Sequence, residues 1–404
     1  MADVVLTTGP GRDRIDWADG QMPVLRSIRE RFAAQQPLAG LSVGACLHVT
    51  AETANLVRAL AAGGARIAIC GANPLSTQDD VADALRDIAD VYAAHAESFD
   101  DFARNINAVL DGRPRVTLDD GADLLQALHL RGLPDDFIGA TEETTTGLLR
   151  LRELDPATPV LAVNEANTER VFNDHYGTGQ STLDGILRAT NLLLAGKTVV
   201  VIGYGFTGKG VAVRARGDGA NVVICEVDPQ RALEARMEGF EVLPALAAAS
   251  RGDVFITVTG VPQVLGRAHF ERMKDGAVLA NAGHFDVELD LPALRLLASE
   301  RHAVLPLVDE YVLADGRRLH LLASGRVVNL AAGQGHPAEI MDISFALQAL
   351  AVEHLALHGA ALPPGVQPVP QAIDDEVARL KLASLGVEID SLTDSQLRYL
   401  SRFE

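Results

Sequence analysis

Apolar residues fall at helical spacing between Met22 and Ala34, where Val24, Leu25, Ile28 and Phe32 share one face, and a helix is predicted there. The short apolar run Leu41 to Leu47 reads as a strand, followed by a helix through Leu56 and Leu60. Ala65–Cys70, Val116–Leu118 and Phe137–Ala140 read as further strands, each set off by helical stretches. Such alternation predicts an α/β layer around a parallel sheet. A second unit starts near Ser181, where a helix from Thr182 to Leu194 runs through Ala195-Gly196 into a strand Thr198–Ile202. Beyond Pro337 the pattern is helical again to about Leu357, and the proline-rich stretch Pro363 to Pro370 sets off a short C-terminal helical segment. No internal repeat or low-complexity linker interrupts this, so boundaries near 180 and 335 rest on pattern alone.

Composition narrows the classes. A chain of 404 residues with 48% hydrophobic content is long enough for two packed domains. A net charge of −19 leaves no basic face for a phosphate backbone, so no nucleic-acid partner is expected. Cys46, Cys70 and Cys225 lack metal-ligand or paired spacing, which suggests a reducing, cytoplasmic setting without disulfides. The polar N-terminal stretch with Asp3 and Asp13 has no secretory pattern, and no uncharged apolar run reaches membrane-spanning length.

Gly203-Tyr-Gly205-Phe-Thr-Gly208 follows the strand Val199–Ile202 and opens a helix. In that context the glycines serve a tight turn, close approach of backbone to a pyrophosphate and helix–strand packing, with the helix N-terminus facing the phosphates. A second strand, Asn221–Cys225, ends at Glu226, an acidic residue suited to both ribose hydroxyls and adverse to a 2′-phosphate, so NAD is favoured over NADP. Thr257–Gly260 and Asn281–Gly283 end later strands; they are placed to touch a nicotinamide ribose or to serve as simple turns. The fold class is therefore α/β, a Rossmann domain with a doubly wound parallel sheet over 181–336. A larger α/β substrate domain covers 1–180, completed by 337–385, and 386–404 forms the C-terminal segment.

Further segments stand in a fixed order around this loop. Gly44-Ala-Cys-Leu-His-Val-Thr50 with Glu52, Asn73-Pro-Leu-Ser-Thr-Gln-Asp79, Leu118-Asp-Asp-Gly-Ala-Asp123 and Glu142-Glu-Thr-Thr-Thr-Gly147 precede it. Asn281-Ala-Gly-His-Phe-Asp286 and Asn329 through Gly335-His-Pro337 follow it. In order and spacing, from about residue 14 to 400, the chain resembles the S-adenosylhomocysteine hydrolase family. The resemblance implies a redox-masked elimination on an adenine nucleoside. NAD oxidises the 3′-hydroxyl, the ketone acidifies the C4′ proton, its loss expels the 5′ substituent, water adds, and the hydride returns. By the same resemblance His48, Asp120 and His284 serve the 5′ position, and Thr50, Glu52 and His336 the adenine. Glu143 with Thr144, Thr145 and Thr146 would hold the ribose hydroxyls, although the threonines also suit an ordinary helix N-terminus; the neighbouring Glu142 is assigned a structural role. Expected cofactor contacts are Gly203, Gly205, Phe206, Thr207, Gly208, Glu226, Thr259, Gly260, Asn281, Gly283, His284 and Asn329. No catalytic metal is expected, and family analogy implies a homotetramer or homodimer.

The chain also departs from the family. Glu169 stands where the family has its catalytic lysine, Asn173-Asp174 inverts an Asp-Asn pair, and Thr178 replaces a cysteine near the nicotinamide. The only lysines are Lys197, Lys209, Lys274 and Lys381, and Arg170 beside Glu169 is a poor proton acceptor. Gln334 stands where a Met is common near the base or sugar, and Phe206 replaces an acidic residue in the glycine loop. The leading expectation is thus a divergent member that expels water, a nucleoside 5′-dehydratase giving a 4′,5′-unsaturated product, with Glu169, Asn173 and Asp174 in the catalytic set. The alternative is a genuine S-adenosylhomocysteine hydrolase. A third reading, an NAD-binding regulator without turnover, is raised by the lost lysine and opposed by the retained His48, Asp120, Glu143 and His284.

Overall fold

The computed structural model describes residues 9–283 and 286–400, so His284 lies outside the described residues. The first six strands are β1 (Ser42–Leu47), β2 (Arg66–Gly71), β3 (Asp90–Tyr92), β4 (Val116–Asp119), β5 (Gly139–Glu142) and β6 (Pro159–Ala162). The next eight are β7 (Thr198–Ile202), β8 (Asn221–Cys225), β9 (Glu241–Val242), β10 (Val254–Thr257), β11 (Ala277–Asn281), β12 (Ala298–Leu305), β13 (Val308–Leu313) and β14 (Arg318–Leu322). A last strand, β15 (Gly365–Pro368), returns to the first group.

Two sheets result. The first has the order β15-β6-β5-β4-β1-β2-β3 with every pairing parallel. The chain winds outward from β1 to β3, then crosses to β4 on the other side. The second sheet has the order β12-β13-β14-β11-β10-β7-β8-β9, parallel from β14 to β9 and antiparallel at β12 and β13. Each sheet reverses direction beside its first strand, and in such sheets ligands bind at the carboxyl ends of the strands flanking that point.

The strand composition follows from burial on both faces. Val199, Val200 and Val201 are all fully buried, the continuous apolar run that a helix-covered parallel sheet requires. One face packs Val199 and Val201 against Leu183, Ile186 and Val211; the other packs Val200 against Phe255 and Leu279. The helix Pro23–Gln35 buries Val24, Leu25, Ile28 and Phe32 against the first sheet's core, and proline at its first position is pre-set for helix entry. The helix Ala338–His358 is long and apolar enough to cross a membrane by length and composition, but Ile343, Phe345, Leu347 and Leu350 sit within that same core.

Local differences from the sequence reading have physical causes. The strand expected at Phe137–Ala140 begins at Gly139, because Phe137 closes a turn onto the Pro134 carbonyl at 3.0 Å. The helix expected at Thr182–Leu194 runs Thr178–Thr190 and stops at Asn191 in the left-handed conformation. The proline-rich stretch is no spacer. Gly365–Pro368 is an edge strand beside β6, a position where proline's missing N–H costs no ladder bond. The chain then forms a helix Gln371–Ser384 with Asp374 and Val377 buried, before an exposed helix Asp394–Leu400.

Candidate active site

Both sheets point the carboxyl ends of their central strands at one cleft of about 390 Å³. His48 follows β1 and Asp120 follows β4, across the switch point of the first sheet. His48 Nε2 lies 3.3 Å from Asp120 Oδ2. On the other side of the ring, Nδ1 lies 2.6 Å from Ser76 Oγ, whose own proton goes to the Asn73 carbonyl at 2.9 Å. With the Ser76 proton directed to Asn73, Ser76 is placed to accept from His48 Nδ1, while Nε2 faces Asp120 in the cleft.

The loops after β4 and β5 sort their carboxylates. Asp119 is buried and accepts from the Leu124 and Leu125 amides at 2.8 and 2.9 Å. Glu142 is fully buried and accepts from the amides of Gly121 and Thr144 and from the Thr144 hydroxyl. Its neighbour Glu143 lines the cleft with Thr144, Thr145 and Thr146. Thr144 is itself a helix N-cap, accepting from the Gly147 amide at 2.9 Å, so its hydroxyl is already engaged. Thr145 donates to Asn164 Oδ1 at 2.7 Å, which leaves Thr146 the one of the three with no recorded side-chain bond.

Glu169 to Gly177 forms a π-helical segment. The Thr178 amide donates to the Asn173 carbonyl, five residues back. This winding is wider than the α-helix, and such segments recur at functional sites. It places Glu169, Asn173, Asp174 and Thr178, spaced by four, five and nine residues, together on the cleft. Asn173 Nδ2 donates to Ser344 Oγ at 2.8 Å, and the Ser344 hydroxyl bonds Glu169. Burial first, then the nearby Asp174 and Asp120 charges, push the Glu169 carboxyl up to about 8. Burial likewise pushes Asp174 up to about 7, against the opposing Arg170 charge. Glu143 is raised well above the carboxylate range by burial, then by Asp120, Glu169 and Glu142.

Thr50, Glu52, Gln334 and His336 line the other end of the cleft. Thr50 caps the helix Ala51–Ala62 and bonds Glu52, whose carboxyl is raised by burial. His336 Nε2 lies 3.1 Å from Thr178 Oγ1, and burial pulls its pKa down to about 4, so the ring is neutral.

The second sheet supplies the cofactor side. At Gly203 φ is +105°, and a Cβ there would stand 2.9 Å from the Val258 carbonyl; at Gly208 a Cβ would meet the Gly203 carbonyl at 2.1 Å. At Gly205 a Cβ would have only an Arg231 nitrogen at 3.7 Å, so the backbone there is open to approach. That is the division of labour a dinucleotide loop needs, tight at two glycines and open at the middle one, so NAD fits. Glu226 accepts from the Tyr204 amide at 2.7 Å and from the Val227 and Asp228 amides, at the end of β8 beside the loop. Phe206 starts the helix Phe206–Gly217, and Thr207, Thr259, Gly260, Gly283 and Asn329 line the cleft. Asn329 Oδ1 is buried without a partner, an acceptor left for a ligand. Asn281 differs from the expected contact. Its side chain is fully buried and bonded to Thr257, Gly283 and Gly325, so it shapes the loop from inside. Glu288, not anticipated from sequence, braces the opposite turn by accepting from Thr259 and Gly260 at 2.8–2.9 Å. Among the described residues no group of His, Cys, Asp or Glu could hold a metal ion.

Comparison with known proteins decides what this arrangement belongs to. Residues 1–134 match the S-adenosyl-L-homocysteine hydrolase profile, and residues 174–335 match the profile of that enzyme's NAD binding domain. An adenosylhomocysteinase of Aquifex aeolicus is 54% identical over 402 residues, spanning 98% of this chain and 96% of its own. One from Gloeobacter violaceus is 51% identical over 98% of this chain and 94% of its own. An S-inosyl-L-homocysteine hydrolase of Methanopyrus kandleri is 53% identical over 98% of this chain and 95% of its own.

The chain belongs to the S-adenosyl-L-homocysteine hydrolase family.

It is an NAD-dependent enzyme of the adenosylhomocysteinase type, acting on a nucleoside. Glu169, Asn173 and Asp174 of the π-helical segment and Thr178 at its end lie together on the cleft. Ser76 and Ser344 also belong to the site. They hold His48 and Glu169; Ser76 lies inside the motif Asn73–Asp79 without having been singled out from it, and Ser344 stands in no motif.

Proposed function

We propose that this hydrolase-family enzyme carries out elimination and addition at the 5′ carbon of an adenine nucleoside thioether, breaking the C5′–S bond so that homocysteine leaves as its thiolate and water adds in its place. The observation that carries the reading is the His48–Asp120 contact at 3.3 Å, in one cleft that Glu52, His336, Glu143 and Glu169 also line. NAD, when bound by the glycine loop and Glu226, supplies reversible hydride removal at C3′. Glu52, an acceptor, suits the exocyclic amine of adenine, and neutral His336 can meet a ring edge. Glu143 and Thr146 bind the sugar hydroxyls. His48 Nε2 and Asp120 move the proton at C4′ and serve the leaving and entering group. The full-length similarity to proteins named as homocysteine-releasing hydrolases supports the thioether as substrate.

A second reading, loss of water to give a 4′,5′-unsaturated nucleoside, has one observation in its favour. The family's lysine is replaced by Glu169, buried and held by Ser344, so the sugar end differs from that of a lysine-bearing hydrolase. Thiol titration after adding S-adenosylhomocysteine to the NAD-loaded enzyme tests the choice. Free homocysteine in step with adenosine supports the first reading. No thiol, with a product lighter by one water from an adenine nucleoside, supports the second and overturns the first.

A further inference from the structure

The sugar end of the cleft gathers acidic groups without a cationic side chain to match them. Asp120, Glu143, Glu169 and Asp174 line it, and among the described residues no lysine or arginine does. Lys209, Lys274 and Lys381 pair with Glu234, Asp253 and Asp342 elsewhere, and Arg170 turns to Glu165 at 3.3 Å. Of the acidic groups that line the cleft, three have an oxygen buried with no hydrogen-bond partner: Asp120 Oδ1, Glu143 Oε1 and Glu169 Oε2. Glu169 is only 3% exposed, with Ser344 bonded to its carboxyl and Oε2 left over. A buried carboxylate oxygen without a donor is costly, and several facing one another are costlier still.

A ribose diol offers two hydroxyl protons to three orphan oxygens, and no charge. An ammonium group offers three N–H donors and the missing positive charge. We infer that the sugar end of this cleft is built for a cation, and that the enzyme binds adenine nucleosides carrying an ammonium group on the sugar in place of a hydroxyl. The inference rests on the reading of the cleft as a nucleoside site. The raised carboxyls of Glu143 and Glu169 agree with it, since a cation seated among them is what would return them to the charged form.

Calorimetric titration of the NAD-loaded enzyme at pH 7 tests this with adenosine, 3′-deoxyadenosine, 2′-amino-2′-deoxyadenosine and 3′-amino-3′-deoxyadenosine. One amino nucleoside is expected to bind at least about ten-fold more tightly than adenosine, the scale of a charged hydrogen bond. Glu169→Gln, which keeps shape and loses charge, should shrink that preference to within about three-fold, and Glu169→Lys should reverse it. Adenosine binding as well as either amino nucleoside would overturn the inference, as would a preference that survives Glu169→Gln. Failure of all four to bind would strike the nucleoside reading first, and this inference with it.

Discussion

At the scale of single residues, the site is organised by which polar atoms are already spent. Both oxygens of Asp119 and Oε1 of Glu142 are engaged by backbone amides and face away from the cleft, whereas Glu143 and Asp120 next to them line it and keep an unpartnered oxygen there. His48 is held at both ring nitrogens, by Ser76 and Asp120. Asp120→Asn keeps the shape and removes the charge opposite Nε2, so kcat is expected to fall by roughly 10²–10⁴-fold with little change in KM; steady-state kinetics on the folded variant checks it. Glu169 gives a second prediction. Its carboxyl is pushed up to about 8 from an ordinary 4.5. Between those values the folded protein holds a proton that the unfolded chain releases, so stability falls as pH rises through the window. Asp174, pushed up to about 7, acts in the same direction. Glu169→Gln should therefore match the parent in melting temperature near pH 4.5 and exceed it near pH 8.5. A variant that loses stability at pH 8.5 would show the carboxylate to be favourably paired.

At the scale of elements, the C-terminal helix Gln371–Ser384 reaches back to set the active-site segment. Asp374 is 4% exposed and accepts from the amides of Asn167 and Thr168, at 2.9 and 3.1 Å, and from the Thr168 hydroxyl. These bonds fix the entry to the π-helical segment that begins at Glu169. Asp374→Ala leaves three donors unmet, the two of Thr168 buried, and is expected to cost roughly 3 kcal/mol, read from the urea midpoint, with a larger fractional loss of activity than a distant destabilising change of equal size. Elements also show what the sequence could carry. The strand Thr198–Ile202 and the strand Asn221–Cys225 are met residue for residue, because continuous apolar runs bounded by glycine turns have few alternatives. The π-helical stretch was invisible, since nothing in Glu169 to Thr178 distinguishes its winding from an ordinary helix. The strand Gly365–Pro368 was hidden because proline signals breaks, and only its place at a sheet edge makes it a strand.

At the scale of the whole molecule, two doubly wound sheets meet with their carboxyl ends toward one cleft, so the chemistry is assembled from β1, β4, β5 and the π-helical segment on one side and the glycine loop on the other. The family motifs made most of that assembly readable, because His48, Glu52, Glu143 and His336 each sit in a distinctive local string. The supporting contacts were not readable. Ser76 reaches His48 from a separate loop, and Ser344 reaches Glu169 from a helix about 175 residues onward in the chain. Such partners are defined by packing, and only the folded chain brings them together.

On the proposed chemistry, this cleft removes the C4′ proton of a nucleoside under cover of a reversible oxidation, whatever group leaves. Incubating the NAD-loaded enzyme with adenosine and with S-adenosylhomocysteine in heavy water, then locating deuterium in the recovered nucleosides by NMR and mass spectrometry, tests it directly. Deuterium is expected at C4′, appearing more slowly with Asp120→Asn. Recovered nucleosides carrying no deuterium at C4′ from either compound would contradict it.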